Sequence, residues 1–171
     1  MNWNDLQRDL ARGKLATVYT FSGKETFLKE KALGQIRSMV LPAGFEVLNE
    51  TRLEDATFRQ IREVAETFPV MSDRRLLTVV DWKPAFEGDS EITKQEVEAL
   101  ERWLQAPPES CITIFLMNKE PDGRRKATSL LKKSTAYVEF NQVSMAELEA
   151  LSAERLADQG KTIDSKNLEY L

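Results

Sequence analysis

Along this chain, short continuous apolar runs alternate with stripes of apolar residues at helical spacing, so strands and helices are expected in turn. Trp3, Leu6 and Leu10 predict a short opening helix that ends near Gly13. Ala16 to Phe21 is a β-branched and aromatic run and reads as the first strand. A helix follows from about Glu25 to Met39, with Phe27, Leu28, Ala32, Ile36 and Met39 on one stripe, stopped by Pro42 and Gly44. Phe45, Val47 and Leu48 read as a second strand, and Phe58, Ile61, Val64 and Ala65 as a helix from about Leu53 to Glu66. Leu76 to Val80 is a third strand. Ile92 to Gln105 is a helix with Val97, Leu100, Trp103 and Leu104 inward, ended by Pro107-Pro108. Cys111 to Met117, the most apolar run, reads as the central strand. A basic helix over about Arg124 to Ser134 and a strand over Ala136 to Phe140 complete the alternation.

Repeated βα units imply a parallel sheet with helices on both faces. Its five strands should centre near Val18, Val47, Val79, Ile114 and Val138. From Ser144 the pattern is helical only: Met145, Leu148, Leu151 and Leu156, a cap at Gly160, then a helix from Asp164 that the last residue, Leu171, interrupts. The expected division is an α/β domain over residues 1–143 and the start of a helical domain over 144–171. There is no internal repeat.

One stretch departs from these patterns. Between the helix ending near Glu66 and the third strand stands Thr67-Phe68-Pro69-Val70-Met71-Ser72-Asp73-Arg74-Arg75. Pro69 supplies no ladder donor and pushes Phe68 out of the helical region. Junctions of this kind lie at the surface and are normally polar. Either the apolar residues fold back onto the core, the commoner arrangement, or they form an exposed wedge for a partner. Arg74 and Arg75 would then pair with Glu63 or Glu66, or frame an acidic partner surface.

Composition narrows the chemistry. With 42% hydrophobic and 30% charged residues the chain reads as an ordinary globular protein. No window is long and apolar enough for a membrane span, and the polar, acid-bearing Met1 to Leu10 does not read as a signal peptide, so no membrane partner and a cytoplasmic location are expected. A lone cysteine, Cys111, rules out a disulfide framework or thiolate metal cluster, and the absence of histidine removes imidazole-based catalysis and metal ligation. A net charge of −4 argues against a stand-alone nucleic-acid binder.

In a parallel sheet the ligand site lies beyond the carboxyl ends of the strands. The first such turn is Phe21-Ser22-Gly23-Lys24-Glu25-Thr26. A phosphate-cradling loop needs a second glycine upstream, where this chain has Val18, and a hydroxyl after the lysine, where it has Glu25. The turn is therefore read as a tight bend that needs Gly23, with no nucleotide cofactor and no metal. Asp81, at the end of the third strand, is read as a turn cap, since Trp82 follows where an ATPase would place a second carboxylate. Arg124, Arg125, Lys126, Lys132 and Lys133 read as a solvated basic face, with contact to DNA the minority reading. No nucleophile stands with a base, so no catalytic residue is expected.

Several of these segments together carry a resemblance. Lys14-Leu15-Ala16, Val18-Tyr19, Gly23 and Glu25 with Phe27-Leu28 resemble the start of the delta subunit of the bacterial DNA polymerase III clamp loader. So do the junction Thr67 to Leu76, Pro107-Pro108, the basic stretch, and Val138-Glu139-Phe140 before Met145 and Leu148. The resemblance implies an α/β domain of the AAA+, P-loop-like class whose nucleotide site is lost, followed by a small helical lid. It implies a subunit that grips and opens the ring-shaped sliding clamp (the beta subunit) for loading onto primed DNA during replication. Val70 and Met71 would enter the clamp, Phe68 would support them, and Arg74 and Arg75 would supply rim charge. The other loader subunits are further partners, DNA is met through the assembled loader, and any enzymatic character belongs to the holoenzyme, a nucleotidyltransferase complex. Lys24 departs from the family, which more often has an acid there, and the family's collar domain is missing from the sequence. The competing reading is a P-loop-type ATPase or nucleotide-binding subunit of a related assembly, for which Gly-x-x-x-x-Gly-Lys-Ser is absent. A subunit giving an arginine finger in trans is disfavoured, because Glu109-Ser110-Cys111 lacks the arginine.

Overall fold

A computed structural model describes residues 1–88 and 90–141. The helices expected beyond Ser144, and the expected domain break at Val143 and Ser144, lie outside the described residues. Strands β1 (Val18–Ser22), β2 (Glu50–Glu54), β3 (Arg75–Val80), β4 (Cys111–Leu116) and β5 (Ala136–Glu139) form one sheet. Its order is β2-β3-β4-β1-β5 and every pairing is parallel. The most apolar run, β4, lies in the middle, where both of its faces are covered.

Helices α1 (Trp3–Ala11), α2 (Thr26–Val40), α3 (Glu46–Asn49), α4 (Phe58–Ala65), α5 (Glu91–Trp103) and α6 (Lys126–Ser134) surround the sheet. On one face Leu77, Val79, Cys111 and Phe115 pack with Phe58 and Ile61 of α4, Val97 and Leu100 of α5 and Leu131 of α6. Alternate residues face the other way. There the rings of Tyr19, Phe21, Phe140 and Trp3 meet edge to face or tilted. Leu6 and Leu10 of α1 and Leu28, Ala32, Ile36 and Val40 of α2 are buried.

The second strand differs from the sequence expectation. Val47 and Leu48 lie in the single turn of α3 and are exposed, while the strand is the polar segment Glu50–Glu54. As an edge strand β2 has one sheet neighbour, so it carries charges where a central strand would carry apolar side chains. The helix after it starts later than Leu53. Thr57 and Gln60 form a capping box that sets the first residue of α4 at Phe58. On α2 the inward stripe is Leu28, Ala32, Leu33, Ile36 and Val40, and the expected Phe27 and Met39 point to solvent.

The chain leaves β1 through α2 toward the β2 edge and leaves β4 through α6 toward β5. Connections that depart in opposite directions from adjacent strands open a crevice at the carboxyl ends of β1 and β4. The junction before β3 lies at the other end of the sheet, where the strands begin.

Candidate functional site

At the carboxyl end the turn after β1 is bonded to the protein's own backbone. Gly23 sits at φ +110°, and a Cβ there would come 2.2 Å from the Phe140 carbonyl oxygen. The Phe140 N–H donates to the Ser22 carbonyl (2.7 Å), and the Glu25 N–H donates to the Phe140 carbonyl (3.1 Å). A phosphate at this helix start would need that N–H for itself. Lys29, one turn into α2 and 1% exposed, donates from Nζ to the carbonyls of Gly23 (2.9 Å) and Met117 (2.8 Å). Its ammonium ties the ends of β1 and β4 together. Burial pushes its pKa below the ordinary lysine value, with the Asp81 and Glu30 charges opposing the shift. Lys24, the sequence analogue of a phosphate-binding lysine, is exposed. Asp81 accepts from the N–H of Asn118 (2.7 Å), so it caps the turn after β4 rather than the one after its own strand.

At the amino end the junction is a fixed loop with an apolar tip. Phe68 is 82%, Val70 47% and Met71 76% exposed. These side chains have not folded back onto the core, the commoner of the two arrangements open at the sequence level. Their backbone is held from behind. Asn49, the last residue of α3, is fully buried. Its Nδ2 donates to the carbonyls of Val70 (2.8 Å) and Phe45 (3.0 Å), while its Oδ1 accepts from the Val70 N–H (2.7 Å). Arg75 donates to the Thr67 carbonyl (3.4 Å) and to Thr51 Oγ1 (3.0 Å). Ser72 Oγ donates to the Arg74 carbonyl at 2.7 Å. Met71 stands at φ +53°, a left-handed conformation that costs a non-glycine residue roughly 1 kcal/mol.

One placement differs from expectation. Arg75 is buried within this lattice and not on a rim, because the first residue of β3 is covered on both sides. Arg74 is half-buried. Neither takes Glu63 or Glu66 as its partner among the ion pairs found; those acids pair with Arg59 (2.8 Å) and Arg62 (3.8 Å) on α4. Asn49 was missed at the sequence level. Its only signal was a polar residue ending Phe45–Leu48, which reads equally well as a turn former.

The basic stretch is partly neutralised within the chain. Asp122 accepts from Arg124 Nε (3.1 Å) and also pairs with Arg125, whose Nη1 donates to the Gly88 carbonyl (2.8 Å). Lys126 pairs with Glu101 at 2.8 Å, and Lys132 Nζ lies 5.4 Å from the Tyr137 ring centre. The helix begins at Lys126, so Arg124 and Arg125 belong to the loop before it.

These features define a class: a doubly wound parallel α/β domain whose first βα turn is bonded to its own backbone and to a buried lysine, with an apolar tip at the opposite end. A family model described as DNA polymerase III, delta subunit matches residues 19–141, and the chain belongs to that family. It is 31% identical over 173 residues to DNA polymerase III subunit delta of Bacillus subtilis, covering 98% of this chain and 49% of that protein. The solved structure of a Bacillus subtilis DNA clamp loader delta protein matches with a TM-score of 0.74 at 27% identity, over 98% of this chain and 51% of that one. A DNA polymerase III gamma subunit-related protein from Thermotoga maritima shares the fold, with a TM-score of 0.57 at 15% identity over 92% of this chain and 51% of that chain. The chain thus spans about half the length of the relatives it matches.

Proposed function

We propose that this chain binds the ring-shaped sliding clamp through Phe68, Val70 and Met71 and opens it for loading onto primed DNA, as the delta subunit of a clamp loader in the cytoplasm. The observation that carries this reading is the exposed apolar tip on a stiffened helix-to-strand junction. Exposed apolar side chains held by a fixed backbone lose little conformational entropy on docking. Methionine suits an irregular apolar pocket because it is unbranched and polarisable. Arg74 supplies charge beside the tip, and Arg75 acts from behind by holding Thr67. The partners are the clamp, the other loader subunits, and DNA through the assembled loader. The AAA+-like fold serves as a scaffold, and the Glu25 N–H already engaged by Phe140 at the first turn supports a subunit that works without its own nucleotide.

Binding to purified sliding clamp, measured for the wild type and for Val70→Ala with Met71→Ala, tests this reading. Each hot-spot side chain contributes about 2 kcal/mol, so the double change should weaken binding roughly a thousandfold. Since both side chains are exposed, the fold should lose less than about 1 kcal/mol. Core residues would give the reverse, a loss of several kcal/mol of stability with binding lost only through unfolding. Clamp binding that survives the double change in a folded protein would remove the tip from the interface.

A further inference from the structure

The tip of the junction has no regular secondary structure of its own, yet one buried side chain grips it. Asn49 contacts both polar backbone groups of Val70, accepting from its N–H at 2.7 Å and donating to its carbonyl at 2.8 Å. A primary amide used in this way reproduces the two-bond pairing that a neighbouring strand would give. Its second N–H reaches the Phe45 carbonyl at 3.0 Å, at the start of the α3 turn. The side chain is fully buried and its described bonds use both ends of the amide. Asn49 therefore fixes Val70 against α3 and β2, and Met71 follows immediately in a left-handed conformation that a free loop would leave.

We infer that Asn49 is the positioning residue of the tip: it acts through the Val70 backbone to hold Val70 and Met71 in the conformation that a partner's apolar pocket receives. This rests on the reading of the tip as the clamp contact. It assigns to Asn49 a share of partner affinity, although its own side chain is buried and presents nothing to a partner. The chemistry requires an amide. Aspartate keeps an acceptor for the Val70 N–H but places a carboxylate against the carbonyls of Val70 and Phe45, and alanine removes all three bonds. The Val70 N–H is sealed by a buried acceptor, so it should exchange with solvent slowly even though the residue is half-exposed.

The test combines three measurements. The first is hydrogen exchange on the wild-type chain. The Val70 amide should be protected at least about tenfold relative to that of Met71; equal, fast exchange at both would overturn the inference whatever the partner. The second is sliding-clamp affinity for Asn49→Asp and Asn49→Ala, with folding checked by circular dichroism. Affinity should fall at least about tenfold in variants that remain folded. The third repeats Asn49→Asp in the Val70→Ala, Met71→Ala background, where it should have no further effect on binding, since there is no tip left to position. If the wild type binds the clamp, the double tip variant loses binding, and folded Asn49→Asp binds like wild type, the tip reading stands and the positioning role is refuted. If the wild type does not bind the clamp, the reading of the tip fails, and the exchange measurement alone then decides whether Asn49 holds Val70.

Discussion

Gly23→Ala separates a packed turn from a phosphate-binding loop. Gly23 sits at φ +110°, so any side chain there is strained, by roughly 1–2 kcal/mol for a left-handed L-residue. The added Cβ would also lie 2.2 Å from the Phe140 carbonyl oxygen and 2.6 Å from its carbon, both backbone atoms that cannot rotate away. Phe140 must then move. Its two bonds, to Ser22 (2.7 Å) and from Glu25 (3.1 Å), would lengthen, at about 1 kcal/mol each. Its fully buried ring, 5.0 Å from that of Phe21, would lose part of its packing, a further 1 kcal/mol or so. The total is about 4 kcal/mol, a large part of the 5–15 kcal/mol that holds a typical domain. Gly34→Ala is the internal control. Gly34 lies inside α2 with nothing within 4 Å of a new Cβ, so alanine should stabilise the helix by up to about 1 kcal/mol. Urea unfolding of the two variants should therefore move in opposite directions. A Gly23→Ala protein within about 1 kcal/mol of wild type would refute the reasoning. So would micromolar binding of an ATP analogue by the wild type that is lost on Lys24→Ala.

The buried Lys29 gives a pH signature. Its folded pKa lies below the ordinary 10.5, so across the interval between them the unfolded chain holds a proton that the folded chain has released. Its contribution to stability should thus be least below that interval and rise as pH climbs toward 10.5, measured as the difference between wild type and Lys29→Met in unfolding at pH 7 and above 9; a difference that falls with rising pH would contradict the assignment. For the basic stretch, Arg124→Glu with Lys126→Glu in the assembled loader should leave DNA-dependent clamp loading nearly unchanged at both low and high salt, because Asp122 and Glu101 already engage these side chains. A large loss confined to low salt would place them against DNA instead.

Much of the fold was legible because its signals were local and strong. The continuous apolar runs at Leu76 to Val80 and Cys111 to Met117 read as strands covered on both faces, and they are β3 and β4. The second strand was misplaced because Val47 and Leu48 look like strand residues, while the true edge strand, Glu-Thr-Arg-Leu-Glu, takes its place from pairing with β3 and not from its own composition. Of the junction, the unusual apolar content was readable, but exposure was not, since that depends on what the rest of the chain leaves uncovered. The lysine that ties the ends of β1 and β4 together and the amide that grips Val70 were both invisible. Lys29 looks like any helix-surface lysine, and its two carbonyl partners come from turns as far apart as Gly23 and Met117. Asn49 and Val70 are 21 residues apart, and their contact exists only once β2 has paired with β3. Arg75 was placed on the surface for the same reason: an arginine at a strand start reads as exposed until its neighbours are known.

Contact between the tip at Met71 and the sliding clamp is the central proposal. Photo-crosslinking tests it most directly, with a benzophenone amino acid placed at position 71 and, in a second protein, at exposed position 139 on the opposite edge strand β5. Mixed with purified clamp and irradiated, the chain labelled at position 71 should form a covalent adduct with a clamp subunit, and the chain labelled at position 139 should form none. A complex that forms but crosslinks from position 139 and not from position 71 would contradict the account.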